Sequence, residues 1–163
     1  MLAHKNYQAT LGAIRRSMDK TILDISRIQS YFNGIEDLDG LGDLEFIFTD
    51  NSLLSLTGMG NAESVEATNS LVRLPETFNV SNNDICSWKR LNIKNDQTWK
   101  KIIGQTIQSA EVIWKYKEYP IAFILRFHSD FLLFYETESD ATHFLFNERP
   151  TWVDLKTEIE ILS

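Results

Sequence analysis

The sequence predicts an α+β fold in which helices lie on one face of one or more antiparallel sheets. Short segments of alternating apolar and polar residues, each followed by turn residues, are typical of antiparallel strands. Near the start of the chain, apolar residues recur at helical spacing instead. Charge runs basic, acidic, basic and acidic along the chain, which indicates two tandem helix–β–β–β copies packed as one unit. The length of 163 residues fits a single compact unit, 1–163.

The internal repeat is predicted over residues 5–74 and 92–150, joined by a loop at 75–84. Sliding the chain along itself places Phe48 over Phe127 and superimposes both the charge order and the hydrophobic pattern. Two strand-rich stretches can also match through hydrophobic pattern alone. Two interpretations therefore stand, a true duplication and a coincidence of pattern.

The first helix is predicted over 7–18, where apolar residues recur at three- and four-residue spacing. The same spacing continues to Phe32, and the following pair, Asn33-Gly34, is a common helix stop. Residues 20–32 are therefore either the second half of one long helix or a separate strand.

The second copy begins with a predicted helix over 96–103, with Asp96 as its N-cap, and continues as a strand over 110–116. Each copy then has an alternating strand, a turn, a returning strand and a short third strand. These strands are predicted at 44–49, 53–56 and 64–67 in the first copy and at 121–127, 131–135 and 143–146 in the second.

Composition excludes several classes of protein. The net charge of −7 argues against nucleic acid or an anionic membrane as the main partner, although tryptophans stand beside basic residues at 87–90 and 99–101. The chain has one cysteine, Cys86, so it forms neither an internal disulfide nor a four-cysteine zinc site. No apolar run approaches the length of a membrane span, and the first residues lack a signal-peptide core. We therefore expect a cytoplasmic protein with no membrane association.

Catalytic chemistry is hard to find in the sequence. There is neither a nucleophile elbow nor a dinucleotide-binding glycine pattern, and we expect no cofactor and no bound metal. The alternative is a polar site made by His128 and His143 with Asp130 and Asp140, which are residue types that hold metals or exchange protons. Polar residues on the solvent-exposed face of a sheet give the same pattern without any function.

An acidic segment between positions 36 and 45 is the predicted partner-binding site. It contains carboxylates without any basic residue, and its glycines favour an exposed loop. Like charges this close repel one another, and Lys or Arg side chains of a partner would relieve the repulsion. A solvated loop that only aids solubility is the competing interpretation. The carboxylates are those of Glu36, Asp37, Asp39, Asp43 and Glu45.

We therefore expect a non-catalytic, protein-binding module that presents acidic surface to a basic protein partner. Bacterial immunity proteins, which neutralise toxins by occupying a basic surface, share this general character. The alternative is an enzyme or a metal-binding protein that uses His128, His143 and nearby carboxylates.

Overall fold

The protein is mostly β: strands make up 52% of the chain and helices 11%. The prediction of an α+β fold with helices on one face of a sheet is therefore wrong. The computed structural model describes residues 3–38, 42–59, 63–116, 118–129, 131–138, 141–153 and 158–163.

The described part of the chain contains one long helix, one short 3₁₀ helix and twelve strands, and residues 152–153 are also helical. In chain order they are α1 (Ala3–Ser17), β1 (Ile22–Phe32), β2 (Ile35–Glu36), β3 (Leu44–Phe48), β4 (Leu53–Gly58), β5 (Val65–Thr68), β6 (Phe78–Asn79), β7 (Ile85–Asn92), η1 (Trp99–Lys101), β8 (Ile107–Lys115), β9 (Tyr119–Phe127), β10 (Leu132–Glu138), β11 (Ala141–Phe146) and β12 (Glu158–Leu162).

Residues 20–32 lie mostly in β1, so the alternative of a long helix is wrong. A bulge at Leu23 interrupts the strand alternation, and both faces of β1 are covered further along. Ile25 on one face and Ile28 on the other are consequently both buried, which imitates helical spacing in the sequence. The helix predicted over 96–103 is also wrong, because only the single 3₁₀ turn η1 forms there.

The strands form two antiparallel sheets with the same connectivity. The first sheet has the order β5-β4-β3-β1-β7-β6, with β2 also paired to β1, and the second has the order β11-β10-β9-β8-β12. In each sheet the first long strand begins a meander that runs outward to β5 or β11. A later strand then pairs with the other edge of that first strand: β7 pairs with β1 in the first sheet, and β12 pairs with β8 in the second.

Residue pairing also agrees between the two sheets. Ile22 pairs with Phe48 where β1 meets β3, and Ile107 pairs with Phe127 where β8 meets β9. A bulge follows each of these pairs. The predicted strands at 44–49 and 121–127 are confirmed as β3 and as part of β9, and they occupy equivalent places.

The two sheets meet at an antiparallel bridge between Thr21 and Thr106. The residue two positions before each threonine has a positive φ, 60° at Asp19 and 79° at Gly104. Equivalent residues of the two halves therefore face one another across a local two-fold axis. However, β5 and β11 pair in different registers with the strands that precede them. The duplication itself stays a prediction.

The main core lies between the inner faces of the two sheets and is closed at one side by α1. Phe46 and Phe48 from the first sheet and Phe123 and Phe127 from the second are at most 1% exposed. Burying one such ring contributes roughly 1.5–3 kcal/mol. The hydroxyl of Tyr135 donates a hydrogen bond of 3.0 Å to a backbone carbonyl of the first sheet, so a buried polar contact also fixes how the sheets pack.

The outer face of the second sheet has an apolar cluster of its own. Ile113, Ile124 and Phe134 are fully buried there, with Trp152 and Val153 packed over them. The outer face of the first sheet has no equivalent cover over the end of β1 in the described residues. That end of the sheet carries the candidate site.

Candidate functional site

Large apolar side chains are exposed at one end of the first sheet. Scattered exposed apolar residues are ordinary in soluble proteins, but a group of neighbouring ones marks an interaction surface. We call this group the distal patch. Its members are Phe32, Ile35, Phe78 and Val80, which are 47%, 73%, 50% and 57% exposed.

Part of the distal patch forms one lateral row across four strands. Ile35 on β2 pairs with Phe32 on β1. Phe32 pairs in turn with Cys86 on β7, and Cys86 pairs with Phe78 on β6. Directly paired residues of antiparallel strands point to the same face, so the row is one surface roughly 14 Å across. Phe78 also stacks on Trp88, with 5.6 Å between the ring centroids.

The pair Asn33-Gly34 closes the hairpin between β1 and β2. The two residues have φ values of 51° and 77°, as a two-residue type I′ turn requires at its central positions. Asn and Gly adopt this left-handed backbone more readily than other residues. The pair that was interpreted as a helix stop is therefore the turn that brings Ile35 beside Phe32.

Asn33 also ties this hairpin to the connection between β6 and β7. Its backbone N–H donates to the carbonyl oxygen of Ile85 at 2.8 Å, and its side-chain oxygen accepts from the N–H of Ile85 at 2.8 Å. Its amide nitrogen donates to Oδ1 of Asp84 at 2.9 Å. Hydrogen bonds from the side chains of Asn33 and Ser81 lower the pKa of Asp84, which is therefore charged at neutral pH. These bonds hold the patch in one arrangement.

Acidic residues surround the distal patch. The segments 28–38 and 74–86, which form this end of the sheet, contain no Lys or Arg. Arg27, just before the first segment, forms an ion pair of 2.7 Å with one of the acids, and the others leave a net negative rim. The acids of the rim are Glu36, Asp37, Glu76 and Asp84.

The structure separates the residues of the predicted acidic segment. Glu36 and Asp37 lie beside the distal patch, and Asp39 lies outside the described residues. Glu45 is only 1% exposed and lies on the outer face of the first sheet, where Nε of Arg90 donates to its Oε1 at 2.6 Å. Glu45 therefore has a structural role. Partner binding by the remaining acids stays a prediction.

Asp43 is mostly buried where the two sheets pack together. The backbone N–H of Gly58 donates to its Oδ1 at 3.2 Å. Burial raises the pKa of Asp43 to about 6, the hydrogen bond from Gly58 opposes this change, and the charge of Glu45 adds to it. The Asp43 carboxyl therefore changes its charge in mildly acidic solution.

The two histidines of the alternative polar site lie far apart. His128 follows β9, and its Nδ1 lies 2.6 Å from Nε2 of Gln108. His143 on β11 pairs with Glu136 on β10, which also pairs with Ala122, six residues before His128 on the chain. Roughly 20 Å of strand therefore separates the two histidines. Asp130 and Asp140 lie outside the described residues. Within the described part of the chain, no group of three His, Cys, Asp or Glu side chains is placed to hold a metal ion.

No known protein family, characterised protein or solved structure matches this chain. Among the described helices, none is both long and apolar enough to cross a membrane. The argument for function therefore starts from the distal patch and its acidic rim.

Sequence reasoning missed the distal patch because it assigned 75–84 to a loop and proposed no element for 85–92. These segments contain β6 and β7. The available signal was the apolar residues Phe78 and Val80 in a region otherwise rich in polar turn residues. Only the long-range pairing of β1 with β7 brings Phe78 to the same surface as Phe32.

Proposed function

We propose that the chain is a non-catalytic, protein-binding module of the cytoplasm and that the distal patch with its acidic rim binds a basic protein partner. The observation that carries the proposal is the row of Ile35, Phe32 and Phe78 across four paired strands. The free Cys86 within this row is compatible with a reducing compartment.

The composition of the distal patch supports a protein partner. Protein interfaces have an apolar, often aromatic centre and a polar rim, and the patch has two phenylalanines with a stacked tryptophan at its centre. The hydrogen bonds of Asn33 already order the connections around it. Little conformational entropy is then lost on binding, which favours affinity.

The rim determines the charge of the partner. Lys or Arg residues placed around an apolar centre would be attracted by the carboxylates of Glu36, Asp37 and Asp84. Such complementary charge accelerates association and weakens with added salt. The proposal retains the expected basic partner and moves the binding site from the whole acidic segment to the distal patch.

Affinity capture from a cell lysate tests the proposal with a matched pair of variants. Ile35→Ser removes an apolar side chain that is 73% exposed in the distal patch, and Ile161→Ser removes one that is 70% exposed on β12. We expect the wild type and Ile161→Ser to retain the same basic protein and Ile35→Ser to bind it roughly tenfold more weakly. Equal retention by both variants contradicts the proposed surface.

Chemical modification of Cys86 provides a second test without any change of sequence. Cys86 is the one cysteine of the chain and lies in the middle of the row, between Phe32 and Phe78. A bulky maleimide on its Sγ should block capture of the partner. The control is Cys86→Ser, whose capture should be unaffected by the reagent.

A further inference from the structure

A groove of about 290 Å³ lies between α1 and the second sheet. Its walls are Tyr7, Gln8 and Leu11 from the helix and Trp114, Glu158 and Glu160 from β8 and β12. The helix wall is apolar at its base, because Leu11 is buried in the main core. The groove shares no residue with the distal patch.

Two aromatic rings meet at a right angle in this groove. The ring centroids of Tyr7 and Trp114 are 5.3 Å apart, and their planes are inclined by 88°. Rings at this angle form two walls of a corner, and the face of an aromatic ring attracts a cation through its negative quadrupole. Trp attracts a cation more strongly than the other aromatic residues.

The electrostatic environment of the two rings is negative. Glu158 and Glu160 stand two residues apart on β12, so they point to the same face of the sheet, and Glu158 pairs directly with Trp114. Burial raises the pKa of Tyr7, and the negative charge of Glu118 raises it further. Three carboxylates therefore lie around the aromatic corner.

The guanidinium group of Arg15 lies at the edge of the groove. Nη2 of Arg15 lies 3.6 Å from Oε1 of Glu160, and the two side chains are 52% and 40% exposed. An ion pair this long and this exposed contributes little to stability. A ligand with a positive charge can therefore displace Arg15 at small energetic cost.

We propose that this groove binds an organic cation with an alkylammonium head group, which lies against the Tyr7 and Trp114 rings and is neutralised by Glu160. The volume is at the lower end of the range for small-molecule sites, so the head group with a short chain fills it. The same chemistry occurs in a free small molecule and in a methylated Lys side chain of another protein. The inference does not depend on the proposed function of the distal patch.

Calorimetric titration with choline tests the site, and 3,3-dimethylbutan-1-ol is the control because it has the same shape without the charge. We expect choline to bind saturably with one site per chain and the neutral alcohol to bind roughly tenfold more weakly. Equal binding of the two compounds, or no binding of choline, overturns the proposal. A trimethyllysine peptide that binds more tightly than choline assigns the ligand to a protein side chain, and weaker binding assigns it to a free small molecule.

Variants of the groove test the role of each wall. Trp114→Leu and Glu160→Gln should weaken choline binding severalfold, whereas Trp114→Phe should retain most of it and Arg15→Gln should strengthen it. Glu36→Gln removes an equal charge from the distal patch and should change nothing. If Trp114→Leu does not fold, as judged by circular dichroism, Tyr7→Leu on the helix surface replaces it. Unchanged choline binding in both Tyr7→Leu and Glu160→Gln contradicts the proposed site.

Discussion

The outer faces of the two sheets differ at one pair of equivalent positions, Glu45 in the first sheet and Ile124 in the second. Glu45, at the centre of the first sheet, pairs with a serine on each side and with the guanidinium of Arg90. Ile124, the equivalent residue of the second sheet, has Phe134 beside it, and Trp152 packs against that ring. On its other side Ile124 pairs with Glu111, whose Oε2 lies 2.6 Å from Nη1 of Arg149. Each outer face therefore has an ion pair, and the two faces differ in which strand carries it.

The two sheets also differ in how far the apolar residues of their outer faces are covered. The second sheet buries Ile113, Ile124 and Phe134 beneath Trp152 and Val153, whereas Ile161 at its edge is 70% exposed. The first sheet instead leaves Phe32, Ile35 and Phe78 exposed at the end of β1. The proposed function is that a partner covers these exposed residues at the end of β1.

The largest expected effect tests whether the two sheets are equivalent inside the core. Phe48→Ala and Phe127→Ala each remove a ring from matched positions that are at most 1% exposed. Each variant should lose about 3–5 kcal/mol of unfolding free energy in urea denaturation, and the two losses should agree to within about 1 kcal/mol. A large loss for one and a small loss for the other would break the comparison.

The buried ion pair of the first sheet should give the next largest effect. Arg90→Ala leaves the carboxylate of Glu45 buried without its guanidinium partner, and we expect a loss of about 3 kcal/mol. The double variant Glu45→Ile/Arg90→Ile copies the second sheet, where Ile124 and Ile159 hold the equivalent positions. It should be more stable than Arg90→Ala in the same urea denaturation. A less stable double variant would show that the outer faces are not interchangeable.

A smaller effect depends on pH and tests Asp43, which stands where the second sheet has the buried Ala122. Its pKa is about 6 in the folded protein, against 3.8 for an unperturbed aspartate. Ionisation of the Asp43 carboxyl therefore opposes folding, and the unfolding free energy falls as pH rises from about 4 to 6. Asp43→Asn should be more stable than wild type by about 2 kcal/mol at pH 7, and the difference should shrink towards pH 4. A difference that is constant across this range would contradict the assigned pKa.

The smallest effect on stability is expected in the distal patch. Ile35→Ser and Ile161→Ser replace exposed side chains and should each change the unfolding free energy by less than about 0.5 kcal/mol. If the two variants are equally stable but differ in partner capture, the Ile35 side chain acts in binding and not in folding. A destabilised Ile35→Ser would instead indicate that the patch supports the fold.

The strands with clear alternation could be predicted from the sequence, and β3, β4, β9 and β10 were. Each pairs with a neighbour across a short turn, so local pattern determines both strand and partner. The β1 strand remained ambiguous because the bulge at Leu23 and burial on both faces imitate helical spacing. The helix over 96–103 was wrong because helical spacing in so short a segment does not outweigh tertiary packing.

The returning strands β7 and β12 could not be predicted, because most of their residues are exposed or half-buried and show no clean alternation. The candidate site depends on the same strands. Local sequence placed Glu36 and Asp37 in an acidic segment, but Phe32 and Cys86 become neighbours only through pairing across a long stretch of chain. The groove could not be predicted for the same reason, because Tyr7 and Trp114 are far apart in the sequence and contact each other only in the folded chain.

Hydrogen–deuterium exchange of the captured complex tests the central claim most directly, namely that the distal patch is the partner-binding surface. The backbone amides of 31–37 and 78–86 should exchange more slowly in the complex than in the free chain. The amides of β12 should exchange at the same rate in both. Slower exchange in β12, or in any other region, with unchanged exchange at 31–37 and 78–86 would contradict the account.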